Sequence, residues 1–241
     1  MAETPVSASM ETGIGLSPPA ADVRGARLAN GRTLDFLPSR GARFGESAGM
    51  ATALAICGSP RRNGNTETLL RRCLDRLASQ GIPGELELLA GKDIKGCGAC
   101  GGCGEAKDGS CPGGAGDDFQ AIFEKMLRAD IIVVGSPVYF GSATPELMAL
   151  LDRAGYVAGA NGKLFSRKIG GPIAVARRAG QNFTYAQLLF WYTINDMIVP
   201  GSTYWNVATA RDPGAVNEDA EALRTIDRFA DNLAWLAGKL R

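Results

Sequence analysis

Four of the chain's six cysteines fall in one stretch, CGACGGCGEAKDGSC, at 97–111. Cys97, Cys100, Cys103 and Cys111 are spaced C-x2-C-x2-C-x7-C. Thiols this dense can pair as disulfides, hold a zinc ion or carry an iron–sulfur cluster. Structural zinc usually takes two separated knuckles, about a dozen or more residues apart. Disulfides are rare in a reducing compartment, where clustered cysteines more often mean metal or redox chemistry. The chain has no histidine. That removes Ser-His and Cys-His nucleophile pairs, the commonest general base and His-ligated catalytic zinc. Chemistry must come from Cys, Tyr, Lys, carboxylates or a bound cofactor.

Two consecutive C-x2-C steps match the start of the bacterial ferredoxin run C-x2-C-x2-C-x3-C-P. Pro112 follows Cys111, as proline follows the last cysteine there. Gly96, Gly98, Gly101, Gly102 and Gly104 let the backbone fold tightly around a cluster. No second cysteine set exists, so Cys111 is expected to complete the same cluster. Zinc, disulfides and a thiol loop that carries no cluster stay open as alternatives.

A second chemical stretch is GSPRRNGNT at 58–66. It joins an apolar run to an amphipathic one, the setting of a strand-to-helix turn. A helix start offers unpaired N–H groups and the positive end of a dipole. Ser59, Asn65 and Thr66 add short polar side chains, and Gly64 lets backbone approach an anion. Arg61 or Arg62 can neutralise its charge. The loop is not a Walker A motif, because Asn65 stands where Lys should be. The literal G-x-G-x-x-G at Gly96, Gly98 and Gly101 precedes no predicted helix and interleaves the cysteines, so it is read as coincidence. The alternative reading of GSPRRNGNT is a polar loop with an ordinary helix cap.

The elements that must position these loops alternate from residue 51 onward. ALAICG (53–58), ELELLA (85–90), DIIVVGS (130–136), PIAVA (172–176) and MIVPGS (197–202) read as strands, the last weakened by Pro200. Between the first two, Leu70, Cys73, Leu74 and Leu77 share one helix face. Asp117 and Gln120 form a capping-box pattern. Thr144 and Pro145 read as an N-cap and first-turn proline. Ala222, Ile226, Phe229, Leu233, Leu236 and Leu240 form a packing stripe. Cys57 and Cys73 read as small buried hydrophobes. Five strands separated by helices give an α/β doubly wound parallel sheet, of dinucleotide or flavodoxin strand order. Either order places ligands at the carboxyl ends of the strands.

Taken together, GSPRRNGNTETLL, the C-x-x-C loop, DDF and ADIIVVGSPVYFGSATPELMALLDR resemble the NAD(P)H-dependent FMN reductase family. Within it the chain is most similar to the iron–sulfur flavoproteins. The resemblance spans roughly 51–241. It implies a flavodoxin-like sheet, order 2-1-3-4-5, holding FMN at three loops. Carried over, Ser59, Arg61, Asn63, Gly64, Asn65 and Thr66 hold the phosphate. Pro137, Val138, Tyr139, Phe140 and Gly141 meet the flavin ring, and the third loop contributes around Arg178 and Gly180. A flat, partly polar heterocycle suits an exposed turn with two aromatics, although Tyr139 and Phe140 could instead pack on the next helix. Phe190 and Trp191 read as core or subunit interface, and Tyr204 and Trp205 as possible site walls. The resemblance also implies a [4Fe–4S] cluster on Cys97, Cys100, Cys103 and Cys111. It further implies assembly as a homodimer or homotetramer that brings a cluster near a flavin.

The totals bound the reading. With 241 residues and 45% hydrophobic composition, a sizeable core is available. Formal charge is +1, which argues against a nucleic-acid surface or a polybasic membrane patch. No apolar run reaches the roughly 20 residues of a membrane span. The first twenty residues lack a basic start and apolar core, so a cytoplasmic setting is expected. Residues 1–50 read as a disordered extension, or as the product of an upstream start, and 51–241 as one FMN-binding domain. The leading expectation is an FMN-dependent electron-transfer oxidoreductase with a cluster, served by ferredoxin or NAD(P)H. A cluster-free NAD(P)H-dependent FMN or quinone reductase and a zinc-stabilised binding module are the alternatives. No proton-transfer residue is assigned.

Overall fold

The run ALAIC carries no polar side chain, so a strand made from it must be covered on both faces. The computed structural model describes residues 50–114 and 116–240, and there the run is fully buried as the strand β1, Ala53–Cys57. The expected extension at 1–50 lies outside the described residues except for Met50. The elements that follow are α1 (Asn65–Ala78), β2 (Gly84–Leu88), α2 (Gly102–Ala106), α3 (Phe119–Arg128) and β3 (Ile131–Pro137). Then come α4 (Pro145–Ala160), β4 (Ile169–Ala176), α5 (Gln181–Ile194), β5 (Val207–Thr209) and α6 (Ala220–Lys239).

The strands form one parallel sheet in the order β2-β1-β3-β4-β5, the expected flavodoxin order. Strand alternation divides the core. Ala53, Ala55, Cys57, Ile131 and Val133 face α1 and α6, with Leu70, Cys73, Leu77, Ile226, Phe229 and Leu233. Leu54, Ile56, Ile132 and Val134 face α3, α4 and α5. Each fully buried Leu or Ile contributes about 1.5–3 kcal/mol. Two Arg–Asp forks, Arg72 to Asp227 (2.7 and 2.6 Å) and Arg76 to Asp231 (2.7 and 3.0 Å), join α1 to α6 at the half-exposed rim. Pairs so exposed are screened by water and contribute little.

Three expectations are corrected. The fifth strand is Val207–Thr209, not 197–202. Ile198 makes only an isolated bridge to Ile169, because Pro200 cannot donate to a ladder and the chain leaves the sheet there. The capping box at Asp117 and Gln120 does not form: α3 starts at Phe119, and the Gln120 amide donates to the Gly109 carbonyl at 3.2 Å. Leu240, counted in the packing stripe of α6, lies just beyond its end and is exposed, whereas Ala222, Ile226, Phe229 and Leu233 are buried and Leu236 is half-buried. Among the described residues, no helix is long and apolar enough to cross a membrane.

Candidate functional site

The switch in strand order sets the crevice. β1 pairs with β2 on one side and β3 on the other, so loops leaving β1 and β3 diverge from adjacent strand ends. Cys57 lies in register with Gly135, and the Gly58 N–H donates to the Gly135 carbonyl at 2.8 Å. The first loop is then shaped by its own side chains. The buried Ser59 Oγ bonds to the Arg61 N–H and carbonyl, each at 3.2 Å. Asn63 takes a left-handed φ of 56°, held by its N–H donating to Glu67 Oε2 at 2.7 Å. Glu67 is 2% exposed and also accepts two bonds from Arg71. Gly64 caps α1 with no side-chain bond, leaving the first-turn amides to an incoming acceptor. A Cβ on Gly64 would sit 3.2 Å from the Arg61 carbonyl.

The structure places Arg61 and Arg62 exposed beside this turn and Thr66 buried at its base. Asn65 is engaged elsewhere. Its side chain donates to the Asp212 carbonyl (2.9 Å) and accepts from the Val216 N–H (3.3 Å), tying the segment after β5 to the start of α1.

The second and third loops meet. After Pro137, the Val138 N–H donates to the Val175 carbonyl of β4 at 2.9 Å. Tyr139 and Ser142 close a two-residue hairpin through bonds of 2.9 and 3.0 Å. At its tip Phe140 (φ 51°) and Gly141 (φ 80°) both take positive φ, the pattern of a type I′ turn. For Phe140 that conformation costs about 1–2 kcal/mol, and its ring is wholly exposed. Gln187 of α5 holds the hairpin base, accepting from the Ala143 N–H (2.9 Å) and Ser142 Oγ (3.1 Å). Gly180 (φ 94°) packs against this turn: an added Cβ would lie 3.0 Å from Val138 and 3.4 Å from Gly141. Arg178 is exposed beside it. Tyr204 and Trp205 meet at a tilt, ring centroids 4.9 Å and planes 50° apart, and stay half-exposed. Trp191 is core, with its Nε1 donating to Leu151, while Phe190 is exposed.

The cysteine loop leaves β2, next to the first loop. The Leu89 N–H donates to the Cys57 carbonyl (3.0 Å), and Arg62 reaches the Ala90 carbonyl (3.3 Å). Cys97, Cys100, Cys103 and Cys111 line one cavity together with Arg153 and Tyr156. The loop folds onto itself: a Cβ on Gly102 would meet Pro112 at 2.8 Å, and one on Gly113 would meet the Cys100 sulfur at 3.1 Å. Among the described residues, no three His, Cys, Asp or Glu side chains form a group that could hold a single metal ion. A cluster instead takes one thiolate at each corner, so the donor set, four thiols in a glycine-rich wall, fits it chemically. Cys57 and Cys73 stay apart and buried, as expected. Burial pushes their thiols up to about 11 and about 12.

Arg153 and Asp117 form the part of the site not foreseen in the sequence. Both side chains are 2% exposed and paired through Arg153 Nη1 and Nη2. Arg153 Nε also donates to the Cys111 sulfur at 3.3 Å, and Nη1 to the Lys95 carbonyl at 3.1 Å. Its guanidinium lies 4.0 Å over the Phe119 ring. Burial works against the Arg153 charge, but the bonds to Asp117 and Cys111 hold its pKa above the usual value. Burial likewise opposes ionisation of Asp117, and the Arg153 bond with the Lys95 N–H keeps it below the usual range. Breaking such a buried pair costs about 3–5 kcal/mol. The available signal was a charge on an apolar stripe: Arg153 shares the inner face of α4 with Leu147, Leu150, Ala154 and Val157.

Comparisons with known proteins agree with the fold. The family model described as NADPH-dependent FMN reductase matches residues 51–212. An iron-sulfur flavoprotein of Methanocaldococcus jannaschii is 36% identical over 188 residues, covering 75% of this chain and 94% of that protein. One of Archaeoglobus fulgidus is 31% identical over 200 residues, covering 77% and 98%. Among solved structures, a WrbA-like flavodoxin from Agrobacterium tumefaciens shares the fold at a TM-score of 0.56 and 12% identity, covering 80% of this chain and all of that one.

Proposed function

The chain belongs to the NADPH-dependent FMN reductase family, and from that premise we propose an FMN-dependent electron-transfer oxidoreductase carrying a [4Fe–4S] cluster. The observation that carries the reading is adjacency. The first loop and the four-cysteine loop leave neighbouring strands at one sheet edge, joined by the Arg62 bond to Ala90. When bound, FMN supplies two-electron chemistry and a cluster supplies single-electron transfer.

The chain's own residues then divide the work. The first-turn amides of α1, with Ser59, Asn63, Gly64, Thr66 and Arg61, bind the phosphate. Asn65 secures the far wall rather than the anion. Pro137, Val138, Tyr139, Phe140 and Gly141 present the flavin ring with backbone groups and aromatic faces, and Gly180 and Arg178 close its other side. Cys97, Cys100, Cys103 and Cys111 hold the cluster. NAD(P)H, ferredoxin or a quinone is the redox partner, in a reducing cytoplasm. Exposed Phe183, Phe190 and Ile194 on α5 and Tyr156 on α4 support assembly with further copies of the chain.

Anaerobic purification tests this, with an absorption spectrum and flavin, iron, sulfide and zinc counts. Flavin with equal iron and sulfide is the expected result. No flavin uptake from added FMN overturns the oxidoreductase reading. Flavin without iron or sulfide leaves the cluster-free reductase, and zinc without flavin leaves the binding module.

A further inference from the structure

Among the described residues the largest fully buried side chain is a cation, Arg153, and it is aimed at a sulfur. Burying a guanidinium is costly unless its donors are used. Two nitrogens are satisfied by Asp117 and the Lys95 carbonyl, while Nε is directed at Cys111 Sγ. A neutral thiol is a weak acceptor. A thiolate is a charged one, and charge-assisted bonds are the strong ones. The bond aims the guanidinium at the sulfur that the cluster reading makes a ligand.

The same side chain spans the whole cysteine loop. Lys95 lies two residues before Cys97, Cys111 is the last cysteine, and Asp117 follows the loop. Asp117 also accepts from the Lys95 N–H at 3.1 Å. The backbone at Gly114 passes so close that an added Cβ would stand 1.9 Å from Arg153 Nη2. The pair is neutral in sum but oriented, with Nε of the guanidinium on the sulfur of Cys111 and its Nη groups on the carboxylate. Hydrogen bonds and charge beside the ligating sulfurs set a cluster's potential.

We propose that Arg153 is a positioning residue for the cluster, fixing Cys111 as its fourth ligand and raising its reduction potential through the Nε–H bond and the facing charge. This rests on the cluster reading above. Reduction adds one negative charge to the cluster, so a cation facing it favours the reduced form. Asp117 opposes that effect while holding Arg153 in place.

The test is an EPR-monitored redox titration of the purified holoprotein, with iron, sulfide and flavin counted for each variant. Arg153→Gln is expected to lower the cluster potential, with the reduced-to-oxidised ratio at a fixed potential falling at least tenfold, about 59 mV for one electron. Arg153→Lys is expected to restore part of the shift. Asp117→Asn is expected to move the potential upward, the opposite sign, and serves if Arg153→Gln does not fold. A purely structural clamp would lose cluster in both variants without opposed shifts. Variants with full iron and the wild-type potential overturn the proposal, as does a shift of the same sign in both. A wild-type protein that binds flavin but no iron or sulfide overturns the cluster reading and this assignment with it.

Discussion

The Thr144 hydroxyl donates to the Gly58 carbonyl at 2.7 Å, joining the loop after β1 to the start of α4. Thr144 occupies the N-cap position of its own helix but makes no side-chain cap there. Its N–H is held by Ser136 Oγ at 3.0 Å. One buried threonine thus fixes two of the three loops against each other across the β1–β3 boundary, and Gly58 leaves no room for a side chain: its Cβ would lie 2.8 Å from that hydroxyl.

Thr144→Val removes the bond and leaves the Gly58 carbonyl unpaired. The expected loss is about 1–3 kcal/mol of stability, together with weaker FMN binding. Thermal unfolding and a flavin fluorescence titration check both, and Thr144→Ser is expected to retain most of each.

Gly180→Ala places a side chain at φ 94° and against Val138 and Gly141. Positive φ alone costs a non-glycine residue about 1–2 kcal/mol. The hairpin at 139–142 is expected to shift, weakening FMN binding more than stability. A change in melting temperature with unaltered flavin affinity would remove the third loop from the site.

Tyr192 is fully buried, with its hydroxyl 3.0 Å from the Val134 N–H and from the carbonyls of Ile132 and Gly171. Tyr192→Phe keeps the ring and deprives these groups of a partner. A stability loss of about 1–3 kcal/mol is expected in chemical denaturation, with flavin binding unchanged, because this bond lies inside the sheet.

The two buried thiols give a pH dependence. Their folded-state values, about 11 for Cys57 and about 12 for Cys73, lie above the ordinary 9.0 because burial disfavours the thiolate. The unfolded chain therefore releases these protons first, and stability falls as pH climbs past about 9. Denaturation midpoints at pH 8 and pH 10 check this, and Cys73→Ala is expected to flatten the slope. In cluster-free protein, a thiol reagent at pH 8 is expected to modify exposed Cys97 and Cys100 fastest and Cys57 and Cys73 only after unfolding.

Local pattern made much of the fold legible. ALAIC and IIVV are apolar without interruption and became the central pair β1 and β3, because only a strand covered on both faces tolerates that composition. The turn GSPRRNGNT was legible because glycine and short polar residues at a strand-to-helix junction have few other uses. The crowding of Cys97, Cys100, Cys103 and Cys111 around one cavity was legible because they lie within fifteen residues of one another. The true fifth strand was not. Val207–Thr209 is a three-residue edge strand, too short for a pattern, while the more apolar MIVPGS lost its place to one proline.

By itself the sequence determined four of the five strand segments and where polar-turn and thiol groups concentrate, since those depend on neighbours a few residues away. Tertiary structure alone decided the partners of the polar side chains. Asp117 has the sequence of a helix cap and serves as the counter-ion of Arg153, 36 residues away. Thr144 has the sequence of a cap and serves Gly58, 86 residues away. A buried polar group must find a partner wherever packing brings one, and chain separation does not record that meeting.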